Sequence, residues 1–437
     1  MYSTAGLAPV TFLLASARLM AEIQPIHALR YDPDRTSGLQ TVVAPPYDVI
    51  DEEQREALEA RSPYNVVRID LPRGGEDRYE RAAALLDQWR ADGVVVLDET
   101  PALWTLAQDY VGPDGERRTR QGVFARVRVE EYGPGRIRPH ERTHPGPRED
   151  RLRLTRATKA NLSPIFSLFS DPDGAVAAAL SRAGGDAVWA QTTDDDGTVN
   201  RLGRVDDSAA IAAVQEVLSG TELLIADGHH RYETARVYAE EIGGEGPHRY
   251  VLMCLVAIQD PGLTVFPTHR LVRGLRPDQH ETLANALRRD FEIQPLDDTA
   301  DLAPASGETV RIGYIDAHFK RPFMLTLRDT AITDAALPDR SEPYRRLDTA
   351  VLEALVLKGA LGMTDEDIDH LEGLGYARDF AQALELVQSA EYDAAFFMAP
   401  TPVERVHEVA ASGESMPPKS TYFFPKVPTG LLFNPLA

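Results

Sequence analysis

The sequence predicts a mixed α+β fold built from two or three packed lobes. Three observations carry that expectation. The 437 residues are 43% hydrophobic and 26% charged, a globular composition with enough chain for more than one lobe. Short apolar runs alternate with amphipathic helical patterns along the whole length. No period of 20–50 residues repeats, which sets aside solenoids and propellers.

The elements follow in order. Residues 23–31 read as a first strand. VVAPPYDVI (42–50) is a loop, because neither Pro45 nor Pro46 has an amide for a ladder. Asp51 caps the acid-rich helix EEQREALEA. NVVRIDL (65–71) is apolar and β-branched and reads as a strand. A helix at about 77–91 carries Leu85, Leu86 and Trp89 on one face. Three strands follow, VVVLDE, ALWTLAQDY and FARVRVEEY, and the Asp-Gly turn PDGERR joins the last two. Residues 133–150, rich in Gly, Pro, His and Arg, form an exposed loop before a helix at about 150–160 and the apolar strand SPIFSLFS. A helix at 207–219 precedes the strand TELLIA (221–226), the turn DGHH and the helix RYETARVYAEEI. VLMCLVAI is a buried strand and encloses Cys254, the single cysteine. Further helices lie near 343–359, 365–373 and 377–391, followed by the strand YDAAFFMA. Thr401 and Pro402 open another helix as N-cap and first residue. The aromatic, proline-rich tail MPPKSTYFFPKVPTGLLF reads as ordered loop and strand. Three segments result: an N-terminal extension (1–19), an N-terminal α/β region (20–260) and a C-terminal α/β region (261–437) that closes the site.

Composition excludes some partners. A formal charge of −22 and the lack of a basic run argue against nucleic acid. One cysteine permits no intrachain disulfide and no Cys-rich zinc site, which suits a reducing cytoplasm. No stretch reaches the roughly 20 apolar residues of a membrane span. Residues 7–17 resemble a short signal-peptide core, but no Lys or Arg precedes them. Residues 1–19 are therefore expected to be a disordered tail or an over-extended start. Only five cations are lysine (159, 320, 358, 419 and 426), so their positions are informative.

The strongest chemical signal is Asp227-Gly228-His229-His230-Arg231. A buried strand ends at Asp227, and Gly228 permits a tight turn. Helix-start amides then favour an anion, and two histidines and an arginine fork stand beside them. That pattern suits nucleotide phosphates. His140-Glu141-Arg142-Thr143-His144 matches the zinc-protease HExxH pattern, but flanking prolines leave it little helix. Its other reading is a polar active-site loop, with Glu141 as base or metal ligand and His140 and Thr143 toward substrate. Lys159 and Asn161 sit where a basic helix gives way to a strand. Tyr47 and Asp48 lie on the double-proline turn, where an aspartate can take a proton or hold magnesium. Lys419, Ser420 and Thr421 lie on a stiff tail loop. No Walker A, GxGxxG or GxSxG sequence is present.

Six segments resemble the bacterial and archaeal domain-of-unknown-function family numbered 1015. They are the APPYDVI turn, SPYNVVRIDLP, the HERT loop, ANLSPIFSLFSDP, IADGHHRYETA and MPPKSTYFFPK. The turn Gly228-His229-His230-Arg231 is also similar to the Gly-x-His-Arg turn of sulfiredoxin, and the free-serine kinases of that ParB/sulfiredoxin superfamily share Asp-Gly-His-His-Arg. The resemblance implies a ParB/sulfiredoxin-like nucleotide-binding core and a kinase that moves phosphate from ATP or ADP, with Mg2+, to a small-metabolite hydroxyl such as that of free serine. Gly228, His229, His230, Arg231, Lys159 and Lys419 would meet the phosphates. Asp227, Glu141 or Asp48 would serve as base, and Tyr47, His140, Thr143, Asn161 and Ser420 would line the substrate site. No residue is assigned to a resident metal. A nucleotide sensor without turnover and a zinc hydrolase using the HERTH residues are the alternatives.

Overall fold

The structure, a computed structural model, describes residues 21–143 and 145–437. The expected extension (1–19) and His144 lie outside the described residues. Two main sheets organise the chain. The first has nine strands. From edge to edge, eight run Ile137–Arg138, Leu223–Asp227, Ile165–Phe169, Tyr250–Ala257, Arg117–Arg128, Leu103–Val111, Val199–Val205 and Ala190–Thr193. The ninth, Ile23–Gln24, pairs with Arg117–Arg128. Tyr250–Ala257 runs parallel to Ile165–Phe169, and Leu223–Asp227 parallel to Ile137–Arg138; the other pairs are antiparallel. The expected hairpin is present, with Trp104 opposite Phe124 and Val111 opposite Arg117 around the Asp-Gly turn.

The second sheet has six antiparallel strands in the order Phe291–Pro295, Phe323–Leu327, Arg311–Asp316, Ala394–Phe397, His269–Val272 and Leu374–Ala377. Helix Pro277–Asp290 and the helical stretch 348–358 help bury its apolar side through Leu283, Leu287, Val351 and Val356. The chain then returns to the first lobe. Tyr422–Phe424 pairs with Thr264–Phe266, Thr429 bridges Ala44, and Asn434–Pro435 pairs with Ala160–Asn161. This return carries the tail loop into the cleft between the lobes.

Three local expectations are corrected. Residues 65–71 are not a strand; Val67–Asp70 is a short helix. Asn65 imposes it by accepting from the Val67 amide and donating to the carbonyls of Thr41 and Val43. Val66, Val67 and Ile69 are thereby all buried, so burial replaces the alternation of a strand. Residues 133–150 are not simply an exposed loop. Ile137 enters the first sheet, His140 is fully buried, and the following helix begins at Pro145. The helix after Pro402 starts at Val403, with Pro402 rather than Thr401 at the cap position; the Thr401 hydroxyl instead donates to the Ser420 carbonyl.

Among the described residues no helix is long and apolar enough to cross a membrane. Cys254 is fully buried opposite Phe124 and Phe166, and burial pushes its thiol up to about 12. It is expected to stay unlabelled by a thiol reagent in the folded protein and to react stoichiometrically in denaturant. Fast labelling of the native protein would contradict that placement.

Candidate active site at the strand end Asp227

The site is organised by the last residues of strand Leu223–Asp227. Register against Ile165–Phe169 slips there: Ile225 faces Ser167, but Asp227 faces Phe166, leaving Ala226 as the extra residue. A bulge of this kind re-aims the side chain at the strand end. Gly228 follows at φ +96° and caps helix His229–Ile242. A Cβ on Gly228 would stand 3.0 Å from Arg231 Nε, within a guanidinium that is itself pinned. Gly228→Ala is therefore expected to lose about 1–2 kcal/mol from its left-handed conformation alone. The check is the urea midpoint; an unchanged midpoint would show that the turn relaxes freely.

Asp227 is mostly buried and doubly paired. Oδ2 accepts from Arg231 Nη2 at 2.6 Å, and Oδ1 accepts from Lys426 Nζ at 2.6 Å. Burial works to raise its pKa, but Lys426 and Arg231 outweigh it and hold the carboxyl well below the usual range. Burial likewise opposes the charge on Lys426, yet Asp227 keeps its pKa above the ordinary lysine value. The other end of Arg231 is also committed, since Nη1 donates to Ser163 Oγ at 2.9 Å and to the Pro164 carbonyl. The fork expected to grip phosphate is thus turned inward as a brace.

The histidines are inward as well. His140 Nδ1 meets the Ile225 carbonyl at 2.7 Å, so that nitrogen carries the proton. Nε2 must then accept from Thr421 Oγ1, 2.9 Å away. His229 Nε2 accepts from the His140 amide at 3.2 Å, which places its proton on Nδ1, 3.6 Å from Glu141 Oε2. Burial lowers both pKa values, and each imidazole is neutral. The two rings pack edge to face at 4.7 Å. Residues 140–143 are not helical, so no helix face presents the zinc motif. Among the described residues no group of three His, Cys, Asp or Glu side chains could hold a metal ion.

A cleft of about 370 Å3 opens beside this cluster. Asp48, Glu141, Asp227, Lys419, Thr421 and Lys426 line it, together with Arg378 and Asp379 from the second lobe. Lys426 also lies 4.6 Å from the Tyr422 ring centre, and Arg378 4.0 Å from the same ring. Buried side chains fix the tail that brings the lysines here. Arg120 donates to the Pro425 carbonyl at 2.6 Å, Gln108 to that of Lys426, and Arg270 to those of Pro418 and Lys419. Burial brings the Arg120 guanidinium down to about 10.

The remaining candidates lie elsewhere or serve as supports. Lys159 is exposed and borders a separate cleft with His27, Asp87 and Arg126. Asn161 Oδ1 accepts from the Leu252 amide and from Asn434, pinning the C-terminus. Ser420 is buried against Thr349 and the Pro417 carbonyl. Tyr47 lies beneath Arg151, 4.2 Å from ring centre to guanidinium carbon, and burial pushes its hydroxyl up to about 12. His230 is half-buried on the first helical turn, and Thr143 is half-buried before the helix starting at Pro145. Lys426 and Arg378 were not among the nominated residues. The scarcity of lysine pointed toward Lys426; nothing local marks Arg378.

No curated protein matches the chain. A conserved hypothetical protein from Pyrococcus furiosus is 16% identical, covers 71% of this chain and 95% of its own, and superposes with a TM-score of 0.35. A free serine kinase solved with AMP is 14% identical over 71% of this chain and 92% of its own, with a TM-score of 0.37. SbnI with a C-terminal truncation, from Staphylococcus aureus, is 13% identical over 72% and 87%, with a TM-score of 0.35. The model of one family, described as "Protein of unknown function (DUF1015)", matches residues 23–350, and the chain belongs to that family.

Proposed function

We propose that the protein is a nucleotide-dependent phosphotransferase, a kinase that uses ATP or ADP with Mg2+ on the hydroxyl of a small metabolite, with free serine the first acceptor to test. In this reading strand Leu223–Asp227, the Gly228 turn and the following helix form a ParB/sulfiredoxin-like nucleotide-binding core in a cytoplasmic enzyme, with neither nucleic acid nor membrane as partner. The observation that carries the proposal is the cleft itself. Lys419, Lys426 and Arg378 line about 370 Å3 together with Asp48, Glu141 and the strand-end Asp227, just before a helix start. Bound nucleotide would supply the phosphoryl group, and Mg2+, held by Asp48 and Glu141, would offset the charge of its phosphates.

The donor set fits that ligand. Lys426 lines the cleft and has ammonium donors beyond its bond to Asp227. Oxygen donors for Mg2+ come from Asp48 and Glu141, since one or two carboxylates suffice when phosphates complete the shell. Asp227 is a poor proton acceptor, because both of its oxygens are occupied by cations. The base role therefore falls to Asp48 or Glu141, and Asp227 orients Lys426.

Phosphorus NMR of the protein with ATP or ADP and pooled hydroxy metabolites tests the proposal. A new phosphomonoester signal, present with the wild type and lost in Lys426→Met, is the expected result. Nucleotide binding with no product across the pool would overturn turnover and leave a sensor.

A further inference from the structure

A larger cleft of about 1110 Å3 adjoins the first and shares Arg378 and Asp379 with it. Its wall includes two phenylalanines and a histidine among prolines and aliphatic residues. On one side Phe266 stacks on Phe424 with ring centres 4.5 Å apart. On the other, Phe380 packs against Phe397 at 4.8 Å and edge-on to His269 at 6.2 Å.

His269 is the informative residue. Its Nδ1 accepts from the Met398 amide at 3.1 Å, so that nitrogen bears no proton. Burial takes the imidazole down to about 4, which leaves it neutral at pH 7. The proton must therefore sit on Nε2. The residue is 2% exposed and borders the cleft, and among the described residues Nε2 has no protein acceptor and stays open to one in the cleft. An acceptor on a ligand entering the cleft would displace water from this donor and be oriented by it.

We propose that this cleft holds the base of the nucleotide: a planar heteroaromatic ring against Phe266 and Phe380, with a ring nitrogen or carbonyl accepting from His269 Nε2–H. Arg378 and Asp379, common to both clefts, then face the sugar and the phosphate next to it. The inference rests on the phosphotransferase reading for where the phosphates lie. Its chemistry combines ring stacking with one directional donor, the usual makeup of a small-molecule pocket.

Calorimetric titration of the full chain with adenosine, inorganic pyrophosphate and ADP provides the test. In His269→Asn the Oδ1 atom can replace Nδ1 as acceptor for Met398, while the donor at the Nε2 position is lost along with the ring contacts to Phe380 and Phe397, and unchanged pyrophosphate binding reports that the rest of the site is intact. Phe380→Leu keeps an apolar side chain and removes the ring. Each variant is expected to weaken adenosine and ADP about tenfold and to leave pyrophosphate unchanged. Failure of the wild type to bind adenosine, or equal losses for adenosine and pyrophosphate, would overturn the base site. Failure of pyrophosphate alone, with adenosine still dependent on His269, would overturn the phosphate site and leave the base site standing.

Discussion

Asp227→Ala is expected to cost about 3–5 kcal/mol of folding stability at pH 7, because it strands two mostly buried cations. Lys426 and Arg231 each lie 2.6 Å from this carboxylate, and their side chains are 15% and 10% exposed. Lys426 has no second ion pair among the described residues, and Arg231 retains only the neutral acceptors Ser163 Oγ and Pro164 O. The sign with pH follows from the shifts. The folded pKa of Asp227 is depressed, so its contribution is fully present above the unfolded value near 4 and is lost as pH falls through the folded one. The folded pKa of Lys426 is raised, so its contribution holds below about 10.4 and is lost above that. The measurement is urea unfolding of wild type and variant at pH 7 and pH 3. The gap between them is expected to narrow at pH 3, and a gap under 1 kcal/mol at pH 7 would show that the pair does not organise the turn.

How much of this was legible in the sequence depended on whether the signal was local. The strand–turn–helix at Leu223–Ile242 was, because an apolar run, a glycine and an amphipathic stretch fix one another within about 20 residues. The Asp-Gly hairpin was legible for the same reason. Residues 65–71 misled because a β-branched run is equally at home in a buried short helix, and the deciding bonds go to Thr41 and Val43. Most of the second sheet, from Phe291 to Leu327, carried no short motif.

At the site the residue types were legible but their directions were not. His229, His140 and Arg231 have the donors that phosphate needs, but the fold turns those of His140 and Arg231 to Ile225, Ser163, Pro164 and Asp227 and that of His229 toward Glu141. The cations that reach the cleft come from 151 to 199 residues downstream, the farthest being Lys426, which pairs with Asp227. Only tertiary structure states that pairing.

Lys426→Met is accordingly expected to have the largest effect on phosphotransfer. Lys426 lines the cleft and is fixed there, with Asp227 gripping the ammonium and Gln108 and Arg120 holding the backbone on either side of the Pro425–Lys426 bond. A fixed charge aimed at a transferring phosphoryl group needs no reorganisation as charge develops, which is where such donors gain their advantage over water. Removing one preorganised donor typically lowers kcat by about 10²–10³, or roughly 2.7–4 kcal/mol. Methionine keeps the length and apolar contact of the stem, and Asp227 retains Arg231, so the variant is expected to fold. Lys426→Arg should recover part of the rate, since the charge is kept while its planar fork replaces a compact ammonium. Lys419, exposed on the loop above, should matter less, with Lys419→Met raising KM more than it lowers kcat. Steady-state kinetics on the acceptor identified by phosphorus NMR would measure all three. Equal kcat in wild type and Lys426→Met would remove the lysine from the chemistry and reduce the Asp227 pair to a structural clasp.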